Sequence, residues 1–297
     1  QPHPTREVNM VQLGDALLRL DTPPVKALFV YQANPAANIP DQRAVHAGLM
    51  RADLFTVVHE QMHTDTVDFA DIVLPAPTSF EYLDLYRSYG HYHLQLARPV
   101  IPPLGEARHN LDVFQALAAR LGFMEPIFRR TTEEMIRDLL AVDSPYLAGI
   151  TWDRLASGEP IRVNFPRVGD PFAAGFGTPS GKLEFTSQRL ATHGLPAVPT
   201  YVPAVEGHER KTPEFPLQLM TPPAKDFLNT SFGAVERMRA SEGKPRLKIH
   251  PADAALRGIR HDALVRVYNR RGDCCLFAEV HENLVNVAPA DGVPGRG

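Results

Sequence analysis

Three short apolar runs, at residues 25–31, 54–58 and 70–75, stand near the start of the chain, with a short helix-forming stretch at 41–50 between the first two. They are too short for helices and rich in β-branched residues. Their apolar character is nearly continuous, so both faces of each strand are expected to be covered. A parallel sheet flanked by helices provides that environment. The first half is therefore expected to be an α/β layer. Ligands meet such a sheet at the loops leaving the C-terminal strand ends. The first of these loops is Gln32-Ala-Asn34-Pro35, bounded upstream by Pro23-Pro24 and the strand. A small residue before Asn-Pro lets backbone amides turn towards a phosphate, and it equally makes a plain turn.

Further along, residues 94–100 read as an isolated strand, and residues 110–122 as a helix with glycine as its stop. A short helix at 132–140 lies in a stretch of Pro/Gly-rich coil. From residue 215 the pattern becomes a series of short strands, at 216–220, 246–250, 264–268 and 275–280, which is the rhythm of a small barrel. The expected division is an α/β portion over residues 1–125, an irregular connection over 126–212 and a β-barrel over 213–297. The 28 prolines fit long ordered connections. A net charge of -3, from 31 basic and 34 acidic residues, gives no nucleic-acid-binding surface. The two cysteines are the neighbours Cys274 and Cys275, so there is no CxxC pair for zinc or an iron–sulfur cluster. No apolar run is long enough to span a bilayer. The chain opens at Gln1 and closes in Asp291-Gly-Val-Pro-Gly-Arg-Gly297, and it is expected to be an excerpt of a longer polypeptide.

One motif points to zinc. His59-Glu60-Gln61-Met62-His63 has the spacing in which two histidines one helical turn apart hold the metal and the glutamate is the base. Glu81 stands where a third ligand could come from. That chemistry needs a helix, yet His59 directly follows the strand pattern Phe55-Thr-Val-Val58 and Thr64-Asp65-Thr66 comes soon after. A zinc metallopeptidase stays as one alternative.

Several segments taken in order resemble a known family. Asn34-Pro35 is followed by Phe55-Thr-Val-Val-His-Glu60, then by Thr64-Asp-Thr-Val-Asp-Phe-Ala-Asp-Ile-Val-Leu-Pro75, then by Pro103-Leu-Gly-Glu-Ala-Arg108 and the helix from Asn110. Later come Thr178-Pro-Ser-Gly-Lys-Leu-Glu184, Pro216-Leu-Gln-Leu-Met-Thr-Pro-Pro223 with Leu228-Asn-Thr-Ser-Phe232, and His250-Pro-Ala-Asp-Ala-Ala-Leu-Arg-Gly-Ile259. This series resembles the C-terminal part of the molybdopterin-dependent oxidoreductases of the dimethyl-sulfoxide-reductase class, over roughly residues 10 to 280. Two departures stand out. Asn110-Leu111 replaces the family's Asp-Trp, so a guanine-reading carboxylate becomes an amide. His261-Asp262-Ala263 replaces its Gly-Asp turn.

The resemblance implies a Rossmann-like parallel α/β portion followed by a dinucleotide-binding β-barrel of the double-psi type. It implies a molybdenum bis-molybdopterin guanine dinucleotide cofactor and two-electron redox of a small substrate: formate, nitrate, a sulfur oxyanion or an S- or N-oxide. The cofactor contacts it implies are Asn34, His59, Glu60, Thr64 and Asn110 from the α/β part, and Thr221, Pro222, Pro223, Lys225, Asn229, Thr230 and Ser231 from the barrel. The metal ligand and the iron–sulfur cysteines would lie on preceding segments of the same polypeptide, so this portion alone would be inactive. Those iron–sulfur and α/β segments, and an electron-transfer subunit, are the implied partners. The cytoplasm is the expected compartment, with the periplasm as the alternative. A non-catalytic relative, such as the metal-free large subunit of a respiratory NADH dehydrogenase, is the other alternative reading.

Overall fold

A computed structural model describes residues 5–165, 172–173, 175–228, 230–282 and 284. In chain order the first elements are α1 (Leu13–Arg19), β1 (Ala27–Tyr31), α2 (Pro35–Asn38), α3 (Gln42–Leu49), β2 (Phe55–Glu60) and β3 (Ile72–Pro75). Next come β4 (Asp84–Arg87), β5 (His93–Ala97), α4 (Asn110–Arg120), α5 (Thr132–Leu140), α6 (Trp152–Ala156), β6 (Ile161–Arg162) and α7 (Gln188–Thr192). The last are α8 (Glu236–Glu242), β7 (Arg246–Ile249), α9 (Pro251–Leu256), β8 (Leu264–Tyr268) and β9 (Asp273–Val280). Two compact units result: one takes the residues up to Leu74 together with those from Val202 onward, and the other takes Pro75–Tyr201. No helix among the described residues is long and apolar enough to cross a membrane.

The first unit contains the expected α/β layer. Its sheet has the order β1-β2-β3, and β1 runs parallel to β2 from Ala27 opposite Phe55 to Tyr31 opposite His59. α3 starts where Asp41, in the left-handed conformation with φ 57°, accepts a hydrogen bond from the Ala44 N–H. α1 and α3 touch through glycines. A Cβ on Gly48 would stand 2.7 Å from the Leu17 Cβ, and one on Gly14 would stand 2.8 Å from the Ala44 Cβ. That close approach brings Leu17, Val45 and Leu49 together with Ala36 and Leu54 in one core, with Leu28 of β1 packed at its edge.

The same unit holds the second sheet, of order β7-β9-β8, in which β9 pairs parallel with β7 and antiparallel with β8. Among the described residues this is a mixed three-stranded sheet, and the closed barrel expected from the sequence is not seen among them. The strand expected at 216–220 does not form. Leu217 and Leu219 have the alternation of a strand, but none of the described residues pairs with them, and both are exposed. Alternation without a partner to take up the N–H and C=O groups leaves extended coil.

The second unit is built on the antiparallel sheet β4-β5-β6. β5 is thus the middle of a sheet, a correction to the isolated strand expected at 94–100. Leu96, Ile136, Ile150, Leu155 and Ile161 form its core. α5 begins with a full capping box: Thr131 Oγ1 accepts from the Glu134 N–H, and the Glu134 carboxylate accepts from the Thr131 N–H.

Candidate functional site

The parallel pair brings the C-terminal ends of β1 and β2 side by side, and Asn34 organises what lies beyond them. It is buried, 4% exposed. Its Oδ1 accepts from the Thr66 N–H at 3.1 Å and from the Thr66 hydroxyl at 2.6 Å, while its Nδ2 donates to Asp65 Oδ2 at 2.9 Å. Thr66 is fully buried, and its hydroxyl also accepts from the Ala36 N–H at 3.1 Å. α2 is held from its other side as well: the His46 ring bonds to the Ala36 carbonyl at 2.9 Å, and Gln42 donates to the Ala37 carbonyl at 2.8 Å. At the far end of α2, Asn38 Nδ2 donates to Thr230 Oγ1 at 3.3 Å, a contact across 192 residues of sequence. Asn34 therefore works as the knot of the loop, with one N–H left after these bonds.

His59 and Glu60 end β2. His59 is buried, 1% exposed, in an extended strand opposite Tyr31. Glu60 is half-buried, and its Oε1 accepts from the Gln61 N–H at 2.7 Å. His63 lies beyond the strand on an exposed turn, 3.7 Å from Asp68. The two histidines of the HExxH spacing are thus not on one helix turn, and no cluster of three metal-ligating side chains occurs among the described residues. The strand geometry removes the zinc reading. Thr64 turns its hydroxyl inward, where Oγ1 is shielded from solvent and has no hydrogen-bond partner. The surface at this strand edge is made instead by Tyr31 at the end of β1, by Gln32 and Ala33 just after it, and by Gln61 and Met62 just after β2, all exposed. Gln32 sits at φ 50°, a left-handed turn that directs the chain out of β1. The sequence reading missed these residues because Asn-Pro and His-Glu carry more chemical signal than their neighbours.

The segment 216–231 is the second candidate. Thr221, Pro222, Pro223, Lys225 and Ser231 are exposed, and Thr230 is half-buried. The backbone N–H groups of Leu217, Gln218, Leu219, Met220, Thr221, Ala224 and Lys225 make no hydrogen bond among the described residues. At the end of the segment, Leu228 and Ser231 exchange backbone bonds at 3.1 and 2.8 Å, which closes a tight turn. Asn229 lies outside the described residues. A run of exposed, unpaired N–H groups beside a lysine suits the oxygens of a diphosphate. These residues fit an anionic dinucleotide cofactor.

Asn110 belongs to the second unit, as the first residue of α4. Before it, His109 stacks on Tyr82 with ring centroids 4.2 Å apart. Burial, and then the neighbours Tyr86 and Asp84, push the Tyr82 hydroxyl up to about 12. Nearby, Glu81 is 7% exposed. Its carboxylate accepts from the Thr78 hydroxyl and N–H and from the Leu104 N–H, and these bonds hold its titration below the usual range. Glu81 is accordingly a clamp for its own loop, with both oxygens occupied.

Comparison with known proteins matches this arrangement. The model of the molybdopterin oxidoreductase family matches residues 8–120, and that of the molybdopterin dinucleotide binding domain matches residues 217–286. The chain is 41% identical to a probable oxidoreductase, YoaE, of Bacillus subtilis, covering 94% of this chain and 40% of that protein. It is 30% identical to a trimethylamine-N-oxide reductase of Haemophilus influenzae, covering 89% of this chain and 35% of that one. Acetylene hydratase from Pelobacter acetylenicus shares the fold, with a TM-score of 0.71 at 24% identity over 92% of this chain and 38% of the hydratase. The chain belongs to the molybdopterin oxidoreductase family and carries its dinucleotide-binding domain. It spans 40% or less of the length of these relatives.

Proposed function

We propose that this chain is the cofactor-gripping C-terminal portion of a molybdenum oxidoreductase that acts on an S- or N-oxide. The observation that carries this reading is the exposed run of unpaired N–H groups from Leu217 to Lys225, inside the segment matched by the dinucleotide-binding model. The bis-molybdopterin guanine dinucleotide, when bound, supplies the two-electron chemistry through its molybdenum. The chain's own residues bind and orient it. Backbone N–H groups of residues 217–221, 224 and 225 meet diphosphate oxygens, Lys225 adds a positive charge, and the hydroxyls of Thr221, Thr230 and Ser231 complete the polar lining together with Asn229. The exposed ends of β1 and β2 present Tyr31, Gln32 and Glu60 to the same ligand class at the edge where parallel sheets bind. Closure of the 217–286 segment into a double-psi barrel belongs to this reading. Iron–sulfur and α/β segments of the same polypeptide, and an electron-transfer subunit, complete the enzyme. The N-oxide reductase among the relatives favours the oxide class over formate, nitrate or sulfur oxyanions.

The test uses the full-length gene product. Purified protein is expected to contain molybdenum together with releasable guanine nucleotide, and to oxidise a reduced viologen when trimethylamine N-oxide or dimethyl sulfoxide is added. Protein that folds and holds neither molybdenum nor guanine nucleotide after expression with ample molybdate would contradict the cofactor reading and favour a scaffold. Cofactor-loaded protein that reduces nitrate and neither oxide would contradict the substrate class.

A further inference from the structure

We propose that Asn34 is a positioning residue and not a cofactor contact: through Asp65 and Thr66 it fixes the loops at the ends of β1 and β2 and the start of α2. The inference rests on the cofactor reading above for its consequence, and on geometry for its mechanism. Asn34 is 4% exposed and Thr66 is fully buried, so neither presents a side chain to a ligand. Both lone pairs of Asn34 Oδ1 are taken by Thr66, and Asp65 takes one N–H of its Nδ2. The Thr66 hydroxyl passes the constraint on by accepting from the Ala36 N–H, inside the first turn of α2. The chain of bonds ends at the surface, where Asn38 of the same four-residue helix reaches Thr230 in the second candidate segment. One buried amide thereby ties together the exit of β1, the turn after β2 and, through α2, the dinucleotide-facing loop.

The amide is specific to this task. An aspartate at 34 keeps the acceptor for Thr66 but places a carboxylate oxygen against Asp65 Oδ2, where Nδ2 now stands 2.9 Å away. Like charges at that separation repel. An asparagine at 65 repairs the pair by donating in the opposite direction.

The test measures cofactor occupancy of the full-length gene product under limiting molybdate, with hydrogen exchange of the Thr66 and Ala36 amides as the second readout. Asn34→Asp is expected to lower occupancy about tenfold and to lose protection of both amides. Asp65→Asn alone, which leaves the Asn34 donor an acceptor, is expected to stay within about twofold of the parent. The double variant Asn34→Asp with Asp65→Asn is expected to recover both readouts to within about threefold, because donor and acceptor have merely exchanged places. Should Asn34→Asp fail to fold, Thr66→Val against Thr66→Ser asks the same question: only the valine, which lacks the hydroxyl, should lose protection at Ala36. Recovery of amide protection without recovery of occupancy in the double variant would show that the cofactor reads Asn34 itself and would overturn the proposal. So would unchanged Thr66 and Ala36 protection in Asn34→Asp or Thr66→Val. Parent protein that holds no pterin refutes the cofactor reading alone, since the exchange readout still decides whether the knot exists.

Discussion

The two loops that carry the polar groups of the candidate site are built in opposite ways. Around Asn34 nearly every hydrogen-bonding group has a protein partner: the amide bonds Thr66 and Asp65, Thr66 bonds Ala36, and His46 and Gln42 take the carbonyls of α2. From Leu217 to Lys225 the reverse holds, with exposed side chains and backbone donors that no described residue accepts from. The difference has a physical cause. The first loop sits on a parallel sheet and against the α1–α3 core, so its polar groups are desolvated and must be satisfied internally. The second is extended coil rich in proline, whose donors stay solvated at little cost. A rigid support and an open set of donors divide the work of recognition, since donors held ready by a fixed frame need less ordering when they meet an anion.

The largest expected effect comes from breaking the frame. Gly48→Val places a branched side chain where a Cβ would already be 2.7 Å from Leu17. Stability should fall towards the upper end of the roughly 1–3 kcal/mol that overpacking costs, measured by denaturant unfolding. Hydrogen exchange at residues 34–38 should accelerate with it, while residues 217–225 exchange as before. Equal acceleration in both loops would erase the contrast drawn between them.

A smaller and more selective effect is expected from the second loop. Thr221→Pro removes one N–H that has no internal partner, in a segment already framed by Pro216, Pro222 and Pro223. Folding stability should change by no more than about 0.5 kcal/mol. Affinity for the dinucleotide should weaken about tenfold, since a hydrogen bond to a charged oxygen contributes about 1.5 kcal/mol or more. A variant that loses stability but keeps cofactor affinity, by thermal unfolding and reconstitution titration, would assign that amide to the fold.

The α/β half was legible because its signals are local. Continuous apolar runs and good caps gave β1, β2, α3 and α5 to within a few residues, and Gly122, at φ 82°, ends α4 as expected. The strand pattern before His59 argued against zinc at His59 and His63 without removing it, and the structure removed it by placing His59 in β2. What was not legible depended on pairing. β5 looked isolated because one of its partners, β6, has only two residues. Residues 216–220 looked like a strand because alternation records a preference and not a partner. The role of Asn34 was hidden for the same reason: its bonds to Asp65 and Thr66 span more than thirty residues and exist only because β1 and β2 run parallel in register.

The central claim, a pre-set frame beside a set of open donors, is tested most directly by hydrogen exchange read by mass spectrometry on the full-length gene product, cofactor-free against cofactor-loaded. The account predicts that residues 217–225 gain protection about tenfold or more on loading, while residues 34–38 and 64–67 are protected in both forms and change less than about twofold. Protection gained at 34–38 and 64–67, with 217–225 unchanged, would contradict it.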